Sequence, residues 1–176
     1  MKLRNSERCR LDEDCFFILV DSTAYTGHVG KGWTLESLVG HVAQQASLGR
    51  IAAVYLGPHL QDLPVDVRTD RSSRSSHREV SAVVEVRGKG LRVVDYCELT
   101  MAAQFKKSPI LQRPTESACV RLPSGRHRVT FRQLRDDDDI DVDGFWESEE
   151  PALEVVVEPT DDEVEAVPGG IAWLTW

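Results

Sequence analysis

Strand-length apolar runs set the limits on how this chain can fold. From Cys15 to Val157 they recur about eight times, and each closes on glycine, proline or a polar cluster. Cys15-Phe16-Phe17-Ile18-Leu19-Val20 ends at Asp21-Ser22-Thr23, and Ile51 to Leu56 ends at Gly57-Pro58. Val65-Asp66-Val67-Arg68-Thr69 alternates apolar and polar residues, the pattern of a strand with one buried face. Val80 to Val86 and Leu91 to Tyr96 flank Arg87-Gly88-Lys89-Gly90, a hairpin signal with glycines suited to positive φ. Ala118 to Leu122 and Arg126 to Leu134 flank Pro123-Ser124-Gly125 as a second expected hairpin. In its second arm His127, Val129 and Phe131 fall on one face, and Arg128, Thr130 and Arg132 on the other. Leu153 to Val157 is a last strand, with Ala172 to Trp176 a candidate to close the chain.

One segment departs from the β pattern. Between Thr34 and Gln45, Leu35, Leu38, Val39 and Val42 share a helical face, and Thr34 is suited to cap its start. Gly40 costs such a helix roughly 1 kcal/mol relative to alanine. The expected fold is therefore mainly β: a single-domain antiparallel β-sandwich, jelly-roll-like, with one short helical segment. Residues 1–14 read as a mobile N-terminal segment, 15–160 as the sandwich, and 161–176 as an acidic stretch with a closing strand. Burial of Trp173 and Trp176 would complete the core. Asp70 to Arg78, with its arginines and serines, reads as a mobile polar linker.

Charge divides the chain unevenly. All 21 Lys and Arg residues precede Asp136, whereas the tail from Asp136 to Trp176 holds 15 of the 29 acidic residues. Self-repulsion of that order calls for an ion, a cationic partner or the chain's own basic face. A net charge of −8 argues against general nucleic-acid or anionic-membrane binding. The apolar run at Cys15–Val20 is too short to span a bilayer, and acidic residues stand upstream of it where a signal peptide is basic. The expectation is a cytoplasmic protein with no membrane partner. Cys9, Cys15, Cys97 and Cys119 lack metal-type spacing and read as four free thiols.

The tail supplies the candidate site. Asp136, Asp137, Asp138, Asp139, Asp141, Asp143 and Glu147 form a carboxylate-rich surface, with Trp146 as an aromatic anchor. Such a surface suits the basic groove of a nuclease or toxin, as an immunity protein or nuclease inhibitor would use it. Within it Asp139, Asp141, Asp143, Gly144 and Glu150 also satisfy a calcium-loop template, so calcium binding is the alternative reading. The flanking helices of an EF-hand are missing: a strand precedes the template, and Pro151 bars an ordinary exit helix. No cofactor is otherwise expected. A third reading pairs the acids internally with Arg121, Arg126, Arg128 and Arg132.

Enzymatic chemistry finds little support. The Gly27–Gly32 stretch lacks the Walker spacing, and no Gly-x-Ser-x-Gly elbow occurs. His28 and His59 follow strands and offer a small-ligand or catalytic site only if the fold brings them together.

Residues 80–160 resemble a group of small bacterial β-rich proteins. The pattern comprises Val83-Val84-Glu85-Val86, the Leu122-Pro123-Ser124-Gly125-Arg126-His127-Arg128-Val129 turn, an acidic loop, and Leu153 to Pro159. The turn and the final strand look like those of the competence protein J family, inhibitors of a DNA-entry nuclease. That resemblance implies a two-sheet fold and a protein partner; it carries no functional residue across.

Overall fold

The computed structural model describes residues 6–11, 14–57, 60, 63–104, 119–136 and 149–174. Among the described residues, nine strands and two helices follow in the order β1 (Ser6–Arg10), β2 (Phe16–Val20), α1 (Leu35–Ser47), β3 (Ile51–Tyr55), β4 (Pro64–Arg68), β5 (Arg78–Val86), β6 (Gly90–Val94), α2 (Tyr96–Ala103), β7 (Cys119–Arg121), β8 (Gly125–Gln133) and β9 (Leu153–Pro159). They form a five-stranded sheet, β1-β4-β9-β8-β5, and a four-stranded sheet, β3-β2-β6-β7.

Alternation along β2 shows how the layers stack. Phe17 and Leu19 enter a core shared with the five-stranded sheet, where they join Val65, Val84, Val129, Phe131 and Val155. Phe17 and Phe131 meet edge to face across it, with centroids 6.4 Å apart. Ile18 and Val20 point the other way, into a second cluster with Val42, Leu99 and Ala102 of the helices. The smaller sheet is therefore covered on both faces, whereas the larger sheet turns one face outward.

Thr34 caps α1 as its position in the sequence predicts: its hydroxyl accepts from Ser37 N–H, and Ser37 returns the bond to the Thr34 backbone. The buried stripe runs Leu38, Val42, Gln45 and Ala46, which leaves Leu35 exposed. A second helix was not read from the sequence. The chain leaves β6 at Val94 because Asp95 caps α2 by accepting from Glu98 N–H, so Tyr96 opens a helix rather than closing a strand.

Two further expectations are corrected. The fold is not purely antiparallel, because β4 and β9 pair in parallel. Neither glycine turn makes a hairpin, because β5 pairs with β8 and β6 with β7. Both turns are arches that carry the chain from one sheet to the other. The first is held by the buried Asp21 carboxylate, which accepts from the Arg87 and Gly88 N–H groups at 2.7 and 3.3 Å. Gly90 is required there: its φ is +147°, and a Cβ would lie 2.0 Å from the Val120 carbonyl oxygen.

At the start of the chain, residues 6–10 form the edge strand β1, paired antiparallel with β4. At the other end, Glu165 bridges Val83 and Ala172 bridges Val54, so this stretch links an edge of one sheet to an edge of the other. Trp173 is half-buried beneath the Arg78 guanidinium, 4.3 Å from its ring centroid, while Trp176 lies outside the described residues.

Candidate functional site

The acidic segment joins β8 to β9, whose antiparallel pairing runs from His127↔Pro159 to Gln133↔Leu153. Asp136 and Glu150 fall within the described residues; Asp137, Asp138, Asp139, Asp141, Asp143, Trp146 and Glu147 lie outside them. The base of the connection is tied to the larger sheet on both sides. Asp136 stands 3.7 Å from His77, and Glu149 lies 3.2 Å from Arg8 and 3.8 Å from Arg10. Glu150 lines an open cleft of about 320 Å³ with Arg74, Ser75, Leu134, Arg135 and Pro151. Of the calcium-template ligands, only Glu150 is described, and its neighbours in that cleft include two arginines. Among the described residues, no three His, Cys, Asp or Glu side chains converge as a metal site.

A second charged arrangement was missed by sequence reasoning. Register places Arg8, Asp66, Glu154, Arg132 and Glu79 side by side, one from each strand of the five-stranded sheet. Glu154 is fully buried and Arg132 nearly so, and the two pair directly. Arg132 Nε donates to Glu79 at 3.3 Å, and Arg8 Nε donates to Asp66 at 3.2 Å. Asp66 and Glu154 are neighbouring carboxylates on parallel strands, a repulsive juxtaposition that needs cations on either side. Arg68 supplies one, 3.9 Å from Glu154, and Arg74 supplies another, 3.7 Å from Asp66.

Arg74 belongs to the segment between β4 and β5, which the sequence suggested was a mobile linker. It instead lies across the outer face of the sheet as a strap. Ser72 N–H donates to both Glu154 oxygens at 3.3 Å, and the Arg74 carbonyl accepts from Arg132 Nη2 at 2.6 Å. Arg71 and Ser76 both reach Glu79, at 2.6 and 3.1 Å. Burial works to raise the Glu79 carboxyl. The Ser76 hydroxyl and the Arg71 and Arg132 guanidinium groups outweigh it and hold the group below the ordinary carboxylate range. The one available sequence signal is a glutamate inside an apolar run, Leu153-Glu154-Val155, opposite an arginine at the matching phase of β8.

Among the described residues, the histidines do not assemble a site. His28 is exposed with φ +114°, and His59 lies outside the described residues. His127 is buried between the sheets; burial lowers its pKa, against the raising effect of the Gly125 carbonyl at Nδ1. His41 packs edge-on against Tyr25 and is lowered by the same desolvation. Of the arginines proposed for internal pairing, Arg128 meets Asp162 and Arg132 meets Glu154 and Glu79. Of the cysteines, Cys15 is buried, Cys97 is exposed, and Cys9 and Cys119 lie between. Among the described residues, no helix is long and apolar enough to cross a membrane.

No protein-family model matches the chain, and no curated protein does. Two solved structures are similar to it. One is described as crocagin biosynthetic gene J, with a TM-score of 0.51 and 9% identity over 90% of this chain and 99% of that one. The other is ComJ from Bacillus subtilis, titled an inhibitor of the DNA-degrading activity of NucA. It has a TM-score of 0.49 and 11% identity over 90% of this chain and 98% of that one. At such identities the first match speaks for the fold alone and no residue role transfers; the second adds nothing further.

Proposed function

We propose that this chain is a non-enzymatic, cytoplasmic protein-binding module of the immunity or nuclease-inhibitor kind. On a sandwich-like pair of sheets, the β8–β9 connection offers Asp136, Asp137, Asp138, Asp139, Asp141, Asp143, Trp146 and Glu147 to a basic site on a nuclease or toxin. The observation that carries this reading is the one-sided charge of the tail, 15 acids without a single Lys or Arg. Its attachment supports it: the charged groups at the two ends of the connection are met by Arg8 and Arg10 of the larger sheet and by His77 just before β5. Carboxylates carried between two paired strands can steer a cationic partner and set its register.

The test replaces Asp137, Asp138, Asp139, Asp141 and Asp143 with Asn and Glu147 with Gln, then measures binding to a basic non-specific endonuclease. The unmodified chain should bind and weaken steeply as salt rises from about 50 to about 200 mM, where screening shortens the reach of charge. The neutralised variant should lose at least about tenfold in affinity, mostly in association rate. Equal binding by the two proteins, or no binding by the unmodified chain at low salt, overturns the reading.

A further inference from the structure

The strap at residues 70–78 meets the charged row much as a bound peptide would. It contributes one backbone N–H, from Ser72 to Glu154, and one backbone carbonyl, from Arg74 to Arg132. Its two central arginines sit on carboxylates of the sheet, Arg71 on Glu79 at 2.6 Å and Arg74 on Asp66 at 3.7 Å. Backbone donor, backbone acceptor and two arginines on two acids specify a basic segment. The contacts that hold the strap to the row are polar, and Arg71 and Arg74 remain about half exposed. The attachment is therefore of the kind that water and salt compete with.

We propose that the row Asp66, Glu154, Arg132 and Glu79 is a recognition surface for an arginine-bearing segment of a partner, occupied in cis by residues 70–78. The strap is a pseudo-ligand: a partner segment of the same chemistry gains the row when the strap leaves it. The apparent affinity for that segment falls by the fraction of molecules in which the strap is seated. The surface touches the base of the acidic connection, through His77 beside Asp136 and Arg8 between Asp66 and Glu149, but none of the six residues neutralised in the test above belongs to it.

The probe is a fluorescein-labelled peptide with the sequence of residues 70–78, titrated by anisotropy at low salt. The unmodified chain, its row filled, should bind it weakly. Arg71→Ala with Arg74→Ala unpins the strap at two half-exposed positions without touching the core, and should tighten peptide binding about tenfold by freeing the row. Asp66→Asn and Glu79→Gln added to that background should abolish the gain. So should a peptide in which both arginines are replaced by glutamate. Hydrogen exchange supplies an independent readout: the Ser72 amide should be protected in the unmodified chain and lose protection in the unpinned one. Equal peptide binding by the unmodified and unpinned proteins, or none by either, overturns the proposal. So does binding that ignores the Asp66 and Glu79 substitutions. Neutralising the β8–β9 connection should leave every one of these results unchanged, which separates this surface from the function proposed above.

Discussion

Two acidic regions belong to the same pair of strands and have different neighbours. Glu154 lies within β9 and is out of solvent; the Ser72 N–H is shared between its two oxygens, and two arginines flank it. The connection from Asp136 to Glu150 leaves the end of β8 with nine acids and no base of its own. Bases from the first part of the chain reach its two ends. In the row, register decides which charges meet, so the acids find their cations within the fold. In the connection the sequence supplies acids alone, so the base must come from elsewhere. Charge density therefore does not tell which acids the fold itself neutralises; the register of the neighbouring strands does.

The sharpest way to break this contrast is Glu154→Gln. It takes from the buried Arg132 guanidinium its one fully buried counter-charge and leaves only the more exposed Glu79, and urea denaturation should show a loss of about 3 kcal/mol. Replacing the pair together, Glu154→Leu with Arg132→Met, should recover most of that, because two apolar side chains leave no buried charge behind. A double variant as unstable as Glu154→Gln would mean that the pair does more than satisfy itself. Gly90→Ala comes next, at about 2 kcal/mol or more, because its Cβ has no room against β7 and the arch must shift.

Acid should act on the fold before it acts on the carboxylates. His127 and His41 have folded pKa values below the ordinary 6.5 because burial disfavours their charged forms. Their neutral forms are the ones the fold accommodates, so stability is full above about 6.5 and falls as pH drops below it. Glu79 has the opposite chemistry with the same outcome in acid: its depressed pKa contributes stability above the ordinary carboxylate value of 4.5, lost as pH falls through the folded one. Urea midpoints between pH 7.5 and 5 should therefore decline, and His127→Gln should flatten that decline. A midpoint constant down to pH 5 would contradict the burial of both rings.

Gly40→Ala should stabilise α1 by about 1 kcal/mol, because the glycine is helical and a Cβ there meets nothing within 4 Å. The smallest expected effect completes the comparison. Neutralising the β8–β9 connection should move stability by no more than about 0.5 kcal/mol while it removes partner binding. Millimolar calcium should likewise leave the melting temperature in place; a calcium-specific rise would make Asp139, Asp141, Asp143 and Glu150 ligands and displace the inhibitor reading.

Much of the fold was legible locally. Apolar runs located β2, β3, β4, β5, β8 and β9, alternation assigned the faces of β8, and Thr34 with its spacing gave α1. The second helix escaped because Asp95 reads equally well as the end of a strand and as a cap. The arches escaped because a short glycine turn suits a hairpin and a change of sheet alike. Nothing in Arg87-Gly88-Lys89-Gly90 names Asp21 as its anchor.

The candidate site divides in the same way. Composition alone set the charge of the β8–β9 connection, because a stretch without Lys or Arg has none to offer in any conformation. The charged row exists only in the tertiary structure. Arg8, Asp66, Glu79, Arg132 and Glu154 are scattered along the chain, and five strands in one register bring them onto a single line. The strap follows from that row, since polar residues without an apolar anchor settle only where buried charges need partners. Local sequence determined where strands begin and where charge gathers; pairing between distant strands decided which charges are neutralised, because the electrostatic and desolvation energies depend on distances that only the folded chain fixes.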